Sequence, residues 1–253
     1  MDTRKRSGRY KRLETIRGER RKQKQRQRLA TLLMIGGGVL LIVAVIVILA
    51  LSSNKKPRIT TTPIAITPIS RPQANGLAMG NPEAPVRIDL WEDFQCPRCA
   101  EFSRDVENRL IDTYIAQGQV FYVFHQYPFI DKNVGGKESK QSANASMCAN
   151  EQGRFWDYHD MVYANWNGEG EGAYSDTRLT SFAEMLGLDM KAFNSCFKAN
   201  KYKDQIDQDY QAGVAKGVHG TPSLFVNNIE VTPGFVPTYE QMVQAIEEAL
   251  ANK

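Results

Sequence analysis

Two stretches of the chain have the residue pattern of β-strands, and a helical pattern lies between them. Apolar and polar residues alternate over residues 86–91, and residues 120–124 form an aromatic and β-branched run. Between these stretches apolar residues recur every four positions, which predicts a helix that ends near Gly118. A strand, a helix and a strand within about 40 residues form a βαβ unit, whose two strands are expected to be parallel. The apolar helix positions are Phe102, Val106, Leu110 and Tyr114.

The next region is helical and then ends in a hairpin and one more helix. From residue 135 to residue 217 the apolar spacing is that of helices; one helix ends at Gly187, and Asp189 is placed to cap the next. Two short apolar runs, 223–226 and 229–231, flank an Asn-Asn turn and predict a hairpin. The last helix starts with a capping box at residues 238–241. The predicted order is therefore βαβ, a helical block, and ββα.

An apolar segment without charged side chains, residues 29–51, precedes this region. At about 1.5 Å per residue such a helix is roughly 35 Å long, enough to cross the hydrocarbon core of a bilayer. Residues 1–28 carry 13 basic and 3 acidic side chains, so the positive-inside rule places the N-terminus in the cytoplasm. We predict a single transmembrane helix that anchors the chain in the lipid bilayer. A signal peptide cleaved near Ser52 is the alternative, which the length of the apolar run disfavours.

Proline-rich sequence connects this segment to the folded region. Six prolines lie between Ser52 and Pro85 without a helical or strand period, which predicts a Pro/Thr-rich linker over residues 52–83. Residues 84–253 then form one domain, and 42% hydrophobic and 24% charged residues suit a globular core. The net charge of +4 combines +10 from residues 1–28 with −6 from the rest, so the folded part is not expected to bind nucleic acid.

The most informative motif is Cys96-Pro97-Arg98-Cys99, which falls between the first strand and its helix. Pro97 suits the first turn of a helix, where an N–H group has no partner. A thiolate at a helix N-terminus is stabilised by unpaired backbone N–H groups and by the helix dipole, and Arg98 is expected to add a positive charge. The pKa of Cys96 should therefore be low, which makes its disulfide more oxidising. Cys99 is the predicted resolving thiol.

Other uses of a C-x-x-C motif fit this sequence less well. A zinc site needs a second pair of ligands, but Cys148 and Cys196 are 48 residues apart, and the three histidines form no close pair. Haem attachment needs a histidine directly after Cys99, where Ala100 stands. We therefore predict no metal and no cofactor other than a redox-active disulfide, with an inert structural bridge as the remaining alternative.

Cys148 and Cys196 lie on apolar faces of two predicted helices. Buried cysteines in an oxidising compartment usually pair, so a structural disulfide is favoured over free thiols or a second redox pair. Neither cysteine has an adjacent cation or a helix start, which are the features that activate thiols.

Four motifs together resemble the DsbA-like thiol–disulfide oxidoreductases of the thioredoxin superfamily, in a branch often tethered to bacterial membranes. The resemblance spans about residues 80–250. It implies an α/β thioredoxin fold with a helical insertion at about residues 135–217, which shapes a groove beside the first cysteine. It also implies that Pro222 is cis and faces the active-site disulfide, and that Thr221 offers its backbone to an extended substrate peptide. The motifs are GNPEAPV (80–86), EDFQCPRC (92–99), GRFWDYHD (153–160) and GVHGTP (217–222).

The chain departs from that family in one respect. Proteins of the family commonly carry an acid six residues before the first cysteine, where it relays protons to the buried thiol; this chain has Leu90 there. We expect Asp89 on the opposite face of the strand and Glu92 and Asp93 nearer the surface, so no proton relay is assigned. His219 is expected either to tune Cys96 by its charge or to be a solvated loop residue.

Together these features predict a membrane-tethered, extracytoplasmic oxidase that introduces disulfides into exported proteins. Thiols of exported proteins are the expected substrates, and the resemblance implies that a quinone-linked membrane protein reoxidises the enzyme. Two alternatives stay open. One is a reductase or isomerase fed by a transmembrane electron donor, and the other is a tethered peptide-binding or chaperone module without turnover.

Overall fold

The computed structural model describes residues 34, 37–38, 42–47 and 62–252. The chain divides into two compact units, Met1–Lys56 and Pro57–Lys253, and the described residues of the first unit are helical and exposed. The basic segment 1–28 and most of the predicted transmembrane segment 29–51 lie outside the described residues. Among the residues that are described, no helix combines the length and the apolar character needed to cross a membrane.

A five-stranded mixed sheet forms the centre of the second unit. β2 (Val86–Glu92) is parallel to β3 (Val120–Gln126) and antiparallel to β4 (Ser223–Val226). The short strands β1 (Ala78–Met79) and β5 (Ile229–Glu230) pair antiparallel with β3 and β4, which gives the order β1-β3-β2-β4-β5. The predicted parallel βαβ unit and the predicted hairpin are thus confirmed.

Eight helices in the described part of this unit surround the sheet. Two of their predicted caps are confirmed: the Asp189 side chain accepts hydrogen bonds from two backbone N–H groups, and Thr238 and Gln241 form a capping box. The helices are α1 (Pro97–Phe102, continued by Ser103–Glu107, Asn108–Leu110 and Ile111–Ile115), α2 (Asp131–Val134), α3 (Glu138–Asn150), α4 (Phe155–Ala164), α5 (Asp176–Met185), α6 (Met190–Lys198), α7 (Lys203–Lys216) and α8 (Tyr239–Ala251).

Alternation along β2 sends its side chains into two separate clusters. Leu90 lies in the main core together with Met242 and Ile246 of α8, whereas Trp91 packs in a second cluster whose partly buried border includes Tyr210 of α7. Since successive residues of a strand point to opposite faces, helices cover the sheet on both sides. The result is the α/β thioredoxin-like fold with helices α3 to α7 in the predicted insertion.

Helix α1 contains two π-helical segments, Ser103–Glu107 and Ile111–Ile115. Apolar residues at a strict four-residue spacing drift around an α-helix, which has about 3.6 residues per turn. Hydrogen bonds from residue i to residue i+5 widen the turn and counteract that drift. The four residues that predicted this helix therefore all stay buried: Phe102, Val106, Leu110 and Tyr114.

The prediction of a linker over residues 52–83 is wrong for its described part, residues 62–83. Strand β1 belongs to the sheet, and the Ile64 backbone exchanges hydrogen bonds of 2.7 and 2.9 Å with the Asn165 side chain. The side chain of Arg71 is only 4% exposed. The sequence pattern missed this packing because a two-residue strand has no detectable alternation, and a lone arginine among prolines resembles a solvated residue. We call residues 62–72 the strap.

A disulfide joins Cys148 of α3 to Cys196 of α6, with their Cα atoms 5.8 Å apart. Both cysteines are buried in the main core beside Ala145 and Phe193. The bridge therefore ties two helices of the insertion across 48 residues of sequence.

Removal of this disulfide should destabilise the folded domain. In the chain-entropy model a closed loop of this length contributes about 4 kcal/mol. We expect the double variant C148A/C196A to unfold at a markedly lower urea concentration than the wild type. As a control, C96A/C99A should keep most of its stability under non-reducing conditions and lose it on reduction with dithiothreitol. Equal urea midpoints for wild type and C148A/C196A would contradict the structural role.

The backbone at Gly80, which follows β1, lies very close to the start of strand β3. Its φ is +90°, and a Cβ atom there would lie 2.3 Å from the Val120 carbonyl oxygen. Gly118 has a φ of +71°, but a Cβ atom there would meet nothing within 4 Å.

These two glycines form a matched pair for mutation. G118A should cost about 1–2 kcal/mol of unfolding free energy, the penalty of a left-handed backbone. G80A should cost about 1–3 kcal/mol more, because backbone must also move to accommodate the methyl group. Urea unfolding of both variants measures the difference, and equal losses would show that the contact with Val120 is unimportant.

Candidate active site

Cys96 and Cys99 lie at the start of α1, directly after β2. Cys96 is the N-cap residue with extended backbone angles, and Pro97 occupies the first helical position. Cys96 is 5% exposed and Cys99 is fully buried; neither is bridged in this structure. Both cysteines are thus buried, and only Cys96 keeps a small exposed surface.

The loop before Cys96 is held by Asp93 and Gln95. The carboxylate of Asp93 accepts hydrogen bonds of 2.9 Å from the backbone N–H groups of Gln95 and Ile130. The side chain of Gln95 donates to Ser139 of α3 at 2.7 Å, and its backbone carbonyl oxygen accepts from Trp166 Nε1 at 2.7 Å. The helical insertion therefore fixes the position of the cysteine motif. No local sequence pattern indicates these contacts, because they join residues 44 and 71 positions apart.

The environment of Cys96 favours its thiolate. A hydrogen bond from Cys99 is the largest influence and lowers the pKa of Cys96, while burial acts in the opposite direction. Backbone N–H groups of Cys99 and Arg98 lower the pKa of Cys96 further, as expected at a helix N-terminus. The net shift is downward.

Cys99 has the opposite character. Burial raises the pKa of its thiol well above the ordinary value, and its hydrogen bond to Cys96 and the charge of Glu92 act in the same direction. The pair therefore consists of one thiol that ionises easily and one that holds its proton, which is the polarity needed for a nucleophile and a resolving thiol.

The loop before β4 reaches the active-site sulfur. The Thr221–Pro222 peptide bond is cis. The Cys96 Sγ atom lies 3.2 Å from the Thr221 carbonyl oxygen. Exposed His219 borders the same cleft as Thr221 and Pro222, a cavity of about 330 Å³. The roles in substrate binding and tuning assigned to these three residues stay predictions.

Two expectations about charges near the cysteines are wrong. The Arg98 guanidinium points to solvent, where it is 66% exposed and pairs with Glu101 at 2.7 Å, so only its backbone acts on Cys96. Glu92 and Asp93, expected near the surface, are each 1% exposed. Helix α4 covers Glu92, and backbone N–H groups enclose Asp93. Burial raises the pKa of Asp93 to about 6. Asp89 lies on the opposite face, as expected, where it bonds His125 at 2.8 Å.

Three side chains behind the cysteines have the donor atoms of a metal site. Ligand atoms of Glu107, His159 and Asp160 all lie within 4.8 Å of one another. The Arg71 guanidinium pairs with Asp160 at 2.6 Å and with Glu107 at 3.7 Å, so a cation is already present in this group. The arrangement is accordingly an ion-pair network that needs no metal for charge balance.

Comparison with known proteins agrees with the fold. A family model described as "Thioredoxin" matches residues 73–248. The chain belongs to the thioredoxin family.

Among similar proteins, the probable disulfide bond formation protein D of Bacillus cereus is 28% identical over 177 residues, which cover 68% of this chain and 78% of that protein. The crystal structure of oxidised BdbD from Bacillus subtilis superposes with a TM-score of 0.63 at 22% identity, over 72% of this chain and 96% of that one. Wolbachia pipientis alpha-DsbA1 superposes with a TM-score of 0.60 at 22% identity, over 72% and 94% of the two chains. The predicted DsbA-like thioredoxin family and the enzyme class, a thiol–disulfide oxidoreductase, are confirmed.

The two cysteines should differ sharply in reactivity toward alkylating agents. Reduced full-length chain should react with iodoacetamide at Cys96 at mildly acidic pH, and Cys99 should stay unmodified, because alkylation needs a thiolate. Mass spectrometry of peptides after short exposure measures each site.

The variant C99A removes the hydrogen bond that lowers the pKa of Cys96 most, so its alkylation profile should shift to higher pH. In C99S a hydroxyl donor remains, and the profile should lie between those of C99A and the wild type. An unshifted profile in C99A would show that the cysteine hydrogen bond does not stabilise the thiolate.

Proposed function

We propose that this chain is a membrane-anchored, extracytoplasmic thiol oxidase that introduces disulfides into exported proteins. The observation that carries the proposal is the unequal pair at the start of α1, in which Cys96 favours the thiolate and Cys99 favours the thiol. A stabilised Cys96 thiolate favours the reduced enzyme, and the oxidised enzyme is then a strong acceptor of electrons.

The reaction begins with the Cys96–Cys99 disulfide. A substrate thiolate attacks Cys96 Sγ, a substrate–Cys96 disulfide forms, and the electron pair of the broken bond goes to Cys99. A second substrate thiolate then attacks the substrate sulfur of the mixed disulfide. Cys96 leaves as its stabilised thiolate, so the substrate departs oxidised and the enzyme departs as a dithiol. A membrane redox protein is the proposed acceptor of these two electrons.

The surface beside Cys96 suits an unfolded protein substrate. Phe235 is 80% exposed and borders the cleft that contains Thr221 and Pro222. The Thr221 carbonyl next to Cys96 offers a backbone acceptor to an extended chain. An apolar side chain and backbone hydrogen bonds together permit binding that depends little on substrate sequence.

Two features support an extracytoplasmic location. A structural disulfide between Cys148 and Cys196 is typical of proteins in oxidising compartments. The basic segment 1–28 before the apolar segment 29–51 favours a cytoplasmic N-terminus and export of the thioredoxin-like domain.

The substitution C96S should abolish catalysed oxidation, because serine at this position cannot form the redox disulfide. The assay follows oxidation of a reduced, unfolded model protein with two cysteines by the oxidised full-length chain. C148A/C196A, which leaves the motif intact, should retain oxidation activity when folded at low temperature. Activity of C96S at the wild-type level would defeat the assignment.

Equilibration of the full chain with glutathione buffers separates oxidase from reductase. An oxidising potential, with the Cys96–Cys99 disulfide reduced even by weakly reducing buffers, is the expected result for the oxidase. A strongly reducing potential would favour the reductase or isomerase, and a pair without a reversible redox couple would favour the binding module.

A further inference from the structure

His125, near the end of β3, contacts one acidic side chain on each of two other elements. Its Nε2 atom lies 2.8 Å from Asp89 Oδ1 of β2, and its Nδ1 atom lies 3.7 Å from Asp209 Oδ1 of α7. The three side chains are at most 28% exposed, so water screens these contacts only in part. We call His125, Asp89 and Asp209 the histidine clamp, because together they join a helix of the insertion to the central strands.

The number of protons on His125 decides how many of these contacts are attractive. Asp89 is ionised, since Arg87 pairs with it at 2.6 Å, and an ionised carboxylate can only accept. A neutral imidazole has a single N–H, which Asp89 therefore holds on Nε2, and Nδ1 then presents a lone pair to the Asp209 carboxylate. The imidazolium has an N–H on both ring nitrogens and attracts both carboxylates. The contact with α7 thus needs the second proton, whereas the contact with β2 does not.

The charges around His125 favour the protonated form. Burial lowers the pKa of His125, but hydrogen bonds and charges from Asp209 and Asp89 outweigh it, and the net shift of the pKa is upward. The second contact of the histidine clamp is therefore complete below the ordinary pKa of 6.5 and is lost as the pH rises through the raised pKa. The charged or titratable groups of the elements packed here are Arg87 and Asp89 of β2, Tyr127 after β3, and Asp209, Tyr210 and Lys216 of α7.

Trp91 connects the histidine clamp to the second cluster of the sheet. Its ring stacks on the imidazole with centroids 4.2 Å apart and an interplanar angle of 11°. Helix α7 lies so close to this cluster that a Cβ atom at Gly213 would be 2.7 Å from Tyr127 Cδ2 and 2.8 Å from Trp91 Cδ1. The histidine clamp thus acts on α7 where the helix already touches aromatic side chains. The buried members of the second cluster are Trp91, Tyr127, Val218 and Phe225.

The end of α7 leads directly into the loop that reaches Cys96. We call residues 217–222 the Thr221 loop. The Val218 backbone N–H donates back to the last turn of α7 at 2.9 Å, and the Val218 carbonyl oxygen accepts from the Tyr127 hydroxyl at 2.7 Å. Further along the same loop, the Thr221 carbonyl oxygen lies 3.2 Å from Cys96 Sγ. A shift of α7 on the sheet is therefore passed to the Thr221 loop through Val218.

We propose that His125 is a positioning residue for the Thr221 loop, and that its imidazolium form holds α7, and with it the loop, in place for the substrate backbone. Loss of the proton removes the attraction to Asp209 and loosens the loop, so substrate binding weakens as the pH rises. Substrate binding by this loop belongs to the proposed function, on which the proposal rests in that respect, whereas the order of the loop is measured without turnover.

The expected effect is a graded loosening of α7. Asp209 keeps one contact with β3 in either state of His125, because its Oδ2 atom accepts from the Gln126 backbone N–H at 3.1 Å. Only one partly exposed ion pair is then gained or lost, which changes an equilibrium by up to about fivefold.

Amide hydrogen exchange of the full-length chain, followed by mass spectrometry from about pH 6 to about pH 9, tests the proposal. The oxidised chain is used, because Cys96 and Cys99 then do not titrate. After correction for intrinsic exchange rates, protection of peptides from residues 213–222 should fall about three- to fivefold in the wild type as the pH rises. Slow exchange at the imidazole Cε1 position of the same protein gives the pKa of His125, and both curves should have the same midpoint.

Two variants remove the second contact by different routes. D209N keeps the stacking of His125 on Trp91 and an oxygen for the Gln126 N–H but removes the charge on α7. H125Q keeps a donor for Asp89 but cannot be protonated. Both should show the low protection of the high-pH wild type at every pH, and D209N should also lower the pKa of His125. D204N removes a carboxylate that is 90% exposed on the same helix and should match the wild type.

Oxidation of a reduced model protein gives the functional readout. The ratio of KM in H125Q to KM in the wild type should be about three to five near pH 6 and should approach one near pH 9, with an unchanged ratio of kcat. The ratio cancels the titration of Cys96, which is common to both proteins. A KM ratio that is the same at every pH would overturn the proposal, because it indicates a purely structural effect of the substitution.

The exchange measurements can also overturn the proposal on their own. Protection of residues 213–222 that is constant with pH in the wild type would do so, as would protection in D209N that changes with pH as in the wild type. A wild-type chain without turnover would instead refute the proposed function, and hydrogen exchange would still decide whether His125 orders the Thr221 loop.

Discussion

The position of one sulfur atom at the N-terminus of α1 is the constraint on which the rest of the structure depends. Cys96 ends the turn after β2 and precedes Pro97, so its sulfur lies where backbone N–H groups have no helical partners. A negative charge is favourable there, and the hydrogen bond from Cys99 adds to this stabilisation. The chemistry of the pair results from this single placement, because an easily ionised thiol is both a good nucleophile at neutral pH and a good leaving group.

The sheet and the helical insertion each contribute one side of the site. Strands β2 and β4 are antiparallel neighbours, so the end of β2 and the start of β4 lie together and bring Cys96 within 3.2 Å of the Thr221 carbonyl. The insertion holds the loop before Cys96 through Gln95 and Trp166. The Cys148–Cys196 disulfide ties the helices that provide this support. Stability of the insertion and geometry of the redox site are therefore coupled through ordinary packing.

The strap, which precedes the residues of the family match, pairs with buried carboxylates of α1 and α4. Arg71 precedes the first residue of that match, yet its guanidinium pairs with Asp160, which in turn contacts His159. Without this cation the carboxylates of α1 and α4 would be buried with less positive charge to balance them. The strap is accordingly part of the domain in energetic terms.

Local patterns in the sequence determined the elements and the reactive thiol. The βαβ unit, the Asp189 cap, the capping box at Thr238 and the location of Cys96 before a helix all depend on residues a few positions apart, and the structure contains each of them. Such features can be predicted from the sequence because backbone hydrogen bonding and helix capping act over one or two turns.

Tertiary structure alone decided which charges are buried. Glu92 and Arg71 have the local sequence of exposed residues. They are enclosed only because the strap and α4 pack together. Glu92 bonds Tyr163, which lies 71 positions along the chain, and Arg71 bonds Asp160, which lies 89 positions along the chain. Burial of a charge is decided by the sum of its distant partners, since desolvation is offset only where those partners assemble. The sequence by itself therefore identified the predicted nucleophile, whereas the burial of Glu92 and Arg71 emerged only from the folded chain.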